Sequence, residues 1–347
     1  MASGGWRMPA EWAPHERTWM AWPSSGYTLG DTESDADEAR ATWADVALAV
    51  SRFEPVTLVV DPTDVDVARR WVGEGRHGQH RVDLLEAPLD DAWMRDIGPT
   101  FVVGPDGSRA GVDWVFNGWG AQAWATWDKD AHVARAVCRE LSVPVVTSPL
   151  VNEGGGIHVN GAGTVLLTRT VQLGEGRNAH WSQLQVEDEL TRTLGVDRFV
   201  WLERGLTRDY DEFGTRGHVD IVACFSNETT VLFHDQLDAE HPDHAVSAEV
   251  RALLEAEPGL RVIAVPAPET LSDDEGWVDY SYINHYVCNG AVILCAFDDP
   301  GDERAAAILR DAYPGREIVL VDARPLFARG GGIHCITQQQ PRGVGPA

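Results

Sequence analysis

Residues 130–167 read DAHVARAVCRELSVPVVTSPLVNEGGGIHVNGAGTVLL. Asp130 to Leu141 have the apolar spacing of an amphipathic helix, and the β-branched run from Val143 to Thr147 predicts a short strand. A Gly-rich stretch follows. Ile157-His158-Val159 then turns at Asn160-Gly161 into Val165-Leu166-Leu167, and Asn-Gly between apolar runs is a strong hairpin signal. These residues therefore predict a unit of helix, strand, polar connection and hairpin.

The same order of elements recurs along the chain, in units roughly 60 residues apart, which argues for internal repetition. The other predicted helices are Thr32 to Phe53, Asp64 to Val72, Ser182 to Leu194, His244 to Ala256 and Asp302 to Ala312. The strands after them are Val56 to Val60, Arg81 to Leu85, Arg198 to Trp201, Leu260 to Val265 and Glu317 to Val321. The remaining hairpin strands are Thr100 to Val103, Val219 to Phe225 with Val231 to Phe233, and Tyr286 to Cys288 with Val292 to Cys295.

One predicted strand near the end of the chain, Ile333 to Thr337, has no hairpin partner. Thr18 to Trp22 could pair with it, and the two termini would then close a ring of five units, as propellers often close. We therefore predict an α/β propeller with five-fold pseudosymmetry, a single toroidal domain that covers residues 1–347. Within it, the tail from Pro341 to Ala347 is predicted to be disordered.

Composition and charge disfavour several classes of protein. The net charge of -26 argues against nucleic-acid binding, because an acidic surface repels phosphate backbones, and it would attract small cations. The sequence has neither an apolar signal core nor a run of about eighteen apolar residues, so neither secretion nor membrane insertion is indicated. Its five cysteines include no Cys-x-x-Cys pair, which favours free thiols in a reducing cytoplasm.

Residues capable of chemistry occur at one matching place, the stretch just before each predicted hairpin or final strand. They are Asp96, Glu153, His218, Asp220 and Cys335. Equivalent positions in a five-fold ring converge on its axis. We therefore expect three carboxylates, a histidine and a thiol to share one cavity.

Each of these signals also has a structural interpretation. Asp96 beside Arg95 could form a salt bridge in a turn, and Glu153 before three glycines could cap a turn. His218 and Asp220 alternate on one face of a predicted strand, so both could point to solvent or to a metal. The candidate ligands lack the spacing of common zinc sites, and we expect neither a metal nor another cofactor. The coincidence of positions favours a catalytic site.

The predicted cavity suits attack on a guanidinium group. A thiolate is the strongest nucleophile in the set, and Cys335 alone among the cysteines lies between glycines and polar residues. Paired carboxylates match a planar guanidinium through charge-assisted hydrogen bonds, and this cation would help to keep the thiol ionised. His218 can protonate departing ammonia and then take a proton from water. Trp93 and Gly332 lie in the same stretches, and we expect both to contact the substrate.

The chain resembles the agmatine deiminases, within the pentein family of guanidine-modifying enzymes to which bacterial peptidylarginine deiminases are related. The matching blocks are MPAEW at 8–12, DAWMRDIGP at 91–99, GVDWVFNGWG at 111–120, EGGGIHV at 153–159, GHVD at 217–220 and GGGIHCITQQQP at 330–341. The resemblance implies that Cys335 forms a covalent amidino-thioether and that His218, assisted by Glu153, is the acid–base residue. It implies that Asp96 and Asp220 hold the guanidinium. Agmatine would be hydrolysed to N-carbamoylputrescine and ammonia in polyamine biosynthesis, without a cofactor.

Some departures from the family pattern leave the substrate open. Thr215-Arg216 replaces the usual Thr-Asn, Ile221 stands where Asn is common, and the segment from Pro266 to Tyr282 is short. Peptidyl-arginine, a modified agmatine and free arginine are alternative substrates, and Arg216 is the candidate partner for arginine's carboxylate. An amidinotransferase and a silent guanidine-binding protein are further alternatives, although the intact residue set argues against the latter. The expected partner is a small cationic guanidine, and a homodimer is the assembly considered.

Overall fold

The computed structural model describes residues 5–73 and 78–343. Within these ranges the chain forms five sheets of three or four strands and one two-stranded ribbon. The strands are β1 (His15–Ala21), β2 (Val56–Val60), β3 (Val82–Glu86), β4 (Thr100–Val103), β5 (Arg109–Val115), β6 (Val145–Val151), β7 (Ile157–Val159), β8 (Thr164–Thr168), β9 (Arg198–Leu202), β10 (Ala223–Asn227), β11 (Thr230–Asp235), β12 (Arg261–Pro266), β13 (Ser272–Asp273), β14 (Gly276–Trp277), β15 (Tyr286–Cys288), β16 (Ala291–Ala296), β17 (Glu317–Asp322) and β18 (Gln338–Pro341).

The helices lie mainly between the strands of these sheets. They are α1 (Glu33–Ser51), α2 (Val65–Val72), α3 (Met94–Ile97), α4 (Gly118–Ala121), α5 (Val133–Glu140), α6 (Arg169–Gln172), α7 (Gln183–Leu194), α8 (Asp243–Ala256), α9 (Asp302–Ala312) and α10 (Arg324–Phe327). Across the described ranges, no helix is both long and apolar enough to cross a membrane.

Each of the five larger sheets repeats one pattern of connections. A central strand pairs antiparallel with one neighbour and parallel with the other, and a helix connects the central strand to its parallel neighbour. The central strands are β1, β5, β8, β11 and β16, and the connecting helices are α1, α5, α7, α8 and α9. Parallel neighbours need a crossover of this kind. The predicted α/β fold of five units is confirmed.

The two ends of the chain complete the first sheet. β18 pairs antiparallel with β1, so that Gln338 lies opposite Trp19 and Gln340 opposite Arg17. The indole Nε1–H of Trp19 donates to Oε1 of Gln340 at 2.8 Å. The two ends of the chain therefore pair as predicted, but the strand from the end of the chain is Gln338–Pro341 and not the predicted Ile333 to Thr337.

Local sequence signals explain where the longer helices begin and end. At the start of α1, the side chains and backbone N–H groups of Thr32 and Asp35 bond reciprocally in a capping box. Ser182 and Gln185 do the same for α7. That helix ends at Gly195, whose φ of 67° lies in the left-handed region that favours glycine.

The central strands form the core of the units. Every residue of β8 and β11 is buried, as are all but the last residue of β16. Strands covered on both faces have continuous apolar runs instead of alternating ones. These strands can therefore be recognised in the sequence as buried strands. They also fix the positions of the connections that precede each hairpin.

Two predicted strands are wrong in part. Residues 333–336 form a turn, and β18 begins only at Gln338. Val219–Ile221 is a 3-10 turn that precedes β10. In both places buried side chains of other segments, Asn284 and Asp209, accept the backbone N–H groups. These donors are then not available for pairing with a neighbouring strand.

The prediction of a disordered tail from Pro341 is also wrong where the structure describes it. Pro341 is a buried residue of β18, because the strand continues to the end of its pairing with His15. Arg342 donates from Nε to the carbonyl of His15 at 3.0 Å. Residues 344–347 lie outside the described residues.

Candidate active site

Five of the predicted site residues lie in connections that precede the first strand of a unit. Asp96 lies in α3 before β4, Glu153 precedes the 3-10 turn before β7, His218 and Asp220 precede β10, and Cys335 precedes β18. Each is at most 5% exposed. The contacts given below connect His218 with Glu153 and Asp96, and Cys335 with Asp220. Asp96 and Cys335 line one small cavity. The structure therefore brings them together as the pseudosymmetry predicts, although not on strands.

A buried carboxylate holds the segment that carries His218. Asp209 accepts the backbone N–H groups of Thr215 at 2.6 Å, Gly217 at 2.6 Å and His218 at 3.1 Å. Gly217 has a φ of 115°, which favours glycine. The chain therefore turns tightly here, and the turn brings the imidazole of His218 to Glu153.

His218 is surrounded by carboxylates. Its Nε2–H donates to Oε2 of Glu153 at 3.2 Å, and its Nδ1 lies 3.9 Å from Oδ2 of Asp96. Nε of Arg177 donates to both oxygens of Glu153, at 3.0 and 3.1 Å. Burial disfavours the charged ring, but Asp96 and Glu153 outweigh burial and raise the pKa of His218 to about 9. His218 is therefore protonated at neutral pH and can act as an acid.

Asp96 is fixed by two donors. Its Oδ1 accepts the N–H of Gly155 at 3.0 Å, and its Oδ2 accepts the indole N–H of Trp119 at 2.8 Å. Burial raises the pKa of this carboxyl. A Cβ atom at Gly155 would lie 2.4 Å from Nδ1 of His218 and 3.0 Å from Oδ2 of Asp220. The site therefore requires a glycine between these two side chains.

Cys335 lies between an amide and a carboxylate. Nδ2 of Asn284 donates to Sγ at 3.3 Å, and Oδ2 of Asp220 lies 3.7 Å from Sγ. Burial raises the pKa of the Cys335 thiol well above its ordinary value, Asp220 and Asp96 raise it further, and the N–H of Gly332 lowers it. The thiolate therefore needs an additional cation beside it, and the substrate's guanidinium is such a cation.

A small cavity of about 10 Å³ opens beside Cys335. It is lined by Tyr27, Trp93, Asp96, Trp119, Phe213, Thr215, Gly330 and Cys335. Tyr27 and Phe213 stack with their ring centroids 4.6 Å apart, and the indole N–H of Trp93 donates to the hydroxyl of Tyr27 at 2.8 Å. None of these lining residues carries a positive charge.

Two candidates for substrate contact lie outside this lining. Gly332 packs against Asn284, since a Cβ there would lie 2.4 Å from Oδ1, and its amide acts on the sulfur of Cys335. Arg216 is exposed, and its guanidinium donates to the carbonyl of Tyr210 at 2.5 Å and to Oε1 of Gln122 at 3.2 Å. Arg216 is thus not placed to receive a carboxylate beside Cys335.

Three buried side chains are close enough together to be considered for a metal ion. The candidate ligand atoms of Glu11, His158 and His334 lie within 4.8 Å of one another. Nδ1 of His158 accepts the N–H of Phe225 at 3.2 Å, so the proton of the neutral ring is on Nε2, which faces Glu11. Nη2 of Arg95 also lies 3.8 Å from Glu11. This arrangement suits a hydrogen-bonded ion pair better than a metal.

Sequence reasoning missed several residues that the structure places at the site. Asn284 precedes β15 and thus occupies the position in its unit that Cys335 occupies before β18. That equivalence is a signal in the sequence, but no recognisable motif surrounds the amide. Arg177 and Asp209 lie outside the matching positions, and their partners Glu153 and His218 are distant in sequence.

Comparisons with known proteins agree with this geometry. The model of the Porphyromonas-type peptidyl-arginine deiminase family matches residues 7–341. A Streptomyces coelicolor protein, provisionally named an agmatine deiminase, is 58% identical over 97% of this chain and 99% of its own length. The agmatine deiminase of Stutzerimonas stutzeri is 38% identical over 97% and 96% of the two chains. A solved structure of the agmatine deiminase of Enterococcus faecalis has a TM-score of 0.89 and 31% identity, over 98% of this chain and 97% of that one.

The fold and the site define the chain as a pentein, an α/β propeller of the guanidine-modifying type. The chain belongs to the Porphyromonas-type peptidyl-arginine deiminase family. The resemblance to agmatine deiminases and the prediction of a hydrolase that acts on carbon–nitrogen bonds are both confirmed at this level.

Proposed function

We propose that this protein hydrolyses agmatine to N-carbamoylputrescine and ammonia through a covalent amidino-thioether on Cys335. One observation carries the proposal. The thiol of Cys335 lies 3.7 Å from Asp220 in a buried site that also holds Asp96 and a protonated His218. A nucleophile, carboxylates for a cation and an acid for the leaving group are the components that guanidine hydrolysis needs.

Substrate binding uses the carboxylates. Oδ1 of Asp220 is buried without a hydrogen-bond partner and is free to accept an N–H of the guanidinium. Asp96 lines the cavity and supplies the second carboxylate. Two carboxylates bind a planar guanidinium with good geometry, and the cation compensates the charge that disfavours the thiolate. The thiol proton of Cys335 therefore passes to solvent as the substrate binds.

The first chemical step replaces ammonia by sulfur. The thiolate attacks the central guanidinium carbon, and the electron pair of a carbon–nitrogen double bond moves onto nitrogen. His218 donates its proton to an amino group of the tetrahedral intermediate, the carbon–nitrogen bond breaks, and ammonia leaves. The product of this step is the amidino-thioether on Cys335, with His218 neutral.

The second step replaces sulfur by oxygen. Neutral His218 accepts a proton from water, and the resulting hydroxide attacks the amidino carbon. The carbon–sulfur bond then breaks, and the electron pair returns to Cys335 as thiolate. The hydroxyl proton passes through solvent to the released ammonia as the carbonyl of the ureido product forms. Glu153, bonded to His218 at 3.2 Å, keeps the ring oriented in both steps.

The cavity favours a dication over a zwitterion. Its lining residues carry no positive charge, and Arg216 is exposed with its guanidinium bonded elsewhere. An unpaired buried carboxylate costs several kcal/mol, and even about 3 kcal/mol is more than a hundredfold in kcat/KM. Agmatine is therefore preferred to arginine in this proposal.

The test measures ammonia and ureido product with agmatine, arginine and a peptidyl-arginine. Cys335→Ser should bind agmatine and lose turnover by several orders of magnitude, because an alcohol is seldom ionised at neutral pH. Cys138→Ser, at another buried free thiol, is the matched control and should keep its activity. No turnover of agmatine by the parent, or near-normal turnover by Cys335→Ser, would contradict the proposal.

The proposal includes a cytoplasmic location, a homodimer and no nucleic-acid or membrane partner. All five cysteines are free thiols, which supports a reducing compartment. The net charge of -26 supports attraction of cationic substrates and argues against nucleic acid.

A further inference from the structure

Next to Asp220 lies a buried network that the proposed mechanism does not use. It is formed by Glu11, Arg95, His158 and His334, which come from four of the sequence blocks that define the family resemblance. Glu11 is 5% exposed and His334 is 3% exposed. Buried charged groups require partners, so the pattern of contacts in this network indicates its protonation state.

The imidazole of His334 lies between two carboxylates. Its Nδ1 is 2.7 Å from Oδ2 of Asp220, and its Nε2 is 2.8 Å from Oε2 of Glu11. An ionised carboxylate only accepts hydrogen bonds, so both ring nitrogens must donate. A ring with two N–H groups is an imidazolium cation.

The charges of the network balance when His334 is charged. Glu11 also accepts the backbone N–H of Val287 at 2.7 Å, and its Oε2 lies 3.8 Å from Nη2 of Arg95. Glu11 and Asp220 supply two negative charges, and Arg95 and His334 supply two positive charges. Although burial disfavours the charged ring and Arg95 repels it, Glu11 and Asp220 raise the pKa of His334.

The other titratable groups around His334 do not disturb this balance. They are His158, His285 and the thiol of Cys335. Burial lowers the pKa of His158 to about 3 and that of His285 to about 4, and it raises the pKa of the Cys335 thiol. All three groups are neutral near neutral pH. Glu11 and Asp220 therefore determine the charge of the ring, and Arg95 opposes them.

The imidazolium acts on the reaction through Asp220. It binds Oδ2, the oxygen that lies 3.7 Å from Sγ of Cys335, while Oδ1 of the same carboxylate has no partner. A carboxylate anchored through one oxygen cannot rotate freely about its terminal torsion. The free oxygen is thus held in one orientation, ready for the guanidinium.

We propose that Glu11 is a positioning residue for the reaction, which keeps His334 as an imidazolium and thereby holds Asp220 ionised with Oδ1 free for the guanidinium. This inference rests on the proposed function for its kinetic test. It extends the site to a segment near the start of the chain, through a Glu–His–Asp relay that ends beside the nucleophile.

The variant Glu11→Gln separates this role from a purely structural one. Glutamine has the same shape but no charge, so His334 loses one of the two carboxylates that keep it protonated. The neutral ring still donates from Nδ1 to Asp220, but the positive charge of His334 is lost, and only His218 and Arg95 then favour the ionised form of that carboxylate. We expect kcat/KM for agmatine to fall about tenfold to a hundredfold near neutral pH, since charge-assisted hydrogen bonds are the strong ones. Part of the loss should be recovered toward acid pH, where His334 is protonated again.

Glu54→Gln is the matched control. Glu54 is 1% exposed and bonds to another buried histidine, His15, at 3.0 Å, and its other partners are Thr18 and Asn289. This variant removes the same charge from a buried Glu–His pair. His15 contacts Glu11 only through the backbone carbonyl, at 2.6 Å, so the carboxylate of Glu11 and its bond to His334 stay in place. It should lower Tm as Glu11→Gln does, but it should leave the shape of the pH profile unchanged.

The outcomes distinguish the inference from the proposed function. If the parent does not turn over agmatine, the proposed function fails. If the parent is active and the two variants have pH profiles of the same shape, the positioning role of Glu11 fails. A loss in Glu11→Gln that is the same at every pH also contradicts it.

A direct measurement on the parent does not depend on activity or on a variant that folds. Nitrogen-15 NMR of histidine-labelled protein, with His334 assigned through its neighbours along the backbone, counts the protons on the ring. Two protonated nitrogens between pH 7 and 8 are expected, and one protonated nitrogen overturns the inference.

Discussion

Glu153→Gln tests the assignment of His218 as the acid. Glu153 accepts the Nε2–H of His218 at 3.2 Å, and glutamine keeps the shape and one acceptor oxygen while it removes the charge. The pKa of His218 is raised to about 9, with Asp96 and Glu153 opposing the effect of burial. The variant should therefore lower this pKa and leave the fold of the site intact.

The size of the change follows from the geometry. Two unit charges at 3.2 Å interact with about 5 kcal/mol at an effective dielectric constant of about 20. This energy is an upper bound for the His218–Glu153 pair, because Arg177 already offsets part of the charge of Glu153. Hydrogen bonds to charged groups contribute about 1.5–3 kcal/mol, and one pKa unit is about 1.4 kcal/mol. The pKa of His218 should then fall by roughly one to two units.

The assay is the pH dependence of kcat/KM for agmatine. The acid must be protonated to release ammonia, so the alkaline limb of the profile should move to lower pH by roughly one to two units in Glu153→Gln. The control is Glu189→Gln, at a carboxylate paired with Arg192 outside the site. An alkaline limb at the same pH in the parent and in Glu153→Gln would refute the assignment of His218.

The same substitution should change how stability depends on pH. A folded pKa of about 9, above the ordinary value of 6.5, contributes stability that is fully present below pH 6.5 and is lost as pH rises toward 9. This shift contributes roughly 3 kcal/mol to the free energy of unfolding, at about 1.4 kcal/mol for each pKa unit. Tm of the parent should fall over this range, and Tm of Glu153→Gln should fall less.

Four further predictions concern other parts of the site. Gly155→Ala should lose most of its kcat and lower Tm, because the new Cβ would lie 2.4 Å from Nδ1 of His218; normal kinetics would contradict this contact. Phe213→Ala should raise kcat/KM for peptidyl-arginine relative to agmatine, because it removes a ring that lines the cavity, and an unchanged ratio would show that Phe213 does not restrict access. Arg216→Asn should leave the preference between agmatine and arginine unchanged. It should raise Tm slightly, because Arg216 has a φ of 71° that asparagine tolerates better. A shift in preference toward or away from arginine would place Arg216 at the substrate. Activity should survive exhaustive chelation, and loss that zinc or manganese restores would require a metal role instead.

The repeating units could be predicted because their signals are local. Asn160-Gly161 specifies a hairpin, and the apolar runs of β8, β11 and β16 reflect burial on both faces. The convergence of Asp96, Glu153 and Cys335 followed from their equivalent places in the repeat. These inferences needed only the order and spacing of residues.

The errors arose where a side chain from another segment replaced strand pairing. Asp209 takes the backbone donors of Gly217 and His218, so the residues after them form a 3-10 turn. Asn284 takes the N–H of His334 through Oδ1, and β18 therefore starts later than predicted. Hydrogen bonds between segments that are distant in sequence leave no periodic pattern, so apolar periodicity could not reveal them.

The pseudosymmetry also explains why the site contains such different groups. Each unit presents the connection before its hairpin to the same place, and a substitution there does not alter the apolar strands that hold the unit together. The equivalent position therefore carries a different side chain in each unit. Four units supply one residue each, namely Asp96, Glu153, Asn284 and Cys335, and the fifth unit supplies both His218 and Asp220. Because neighbouring units supply both partners of the His218–Glu153 pair, its geometry depends on how those units pack. A substitution that shifts one unit against the next should therefore impair proton transfer before it impairs folding, since the 3.2 Å contact in that pair is more sensitive to small displacements than the buried strands are.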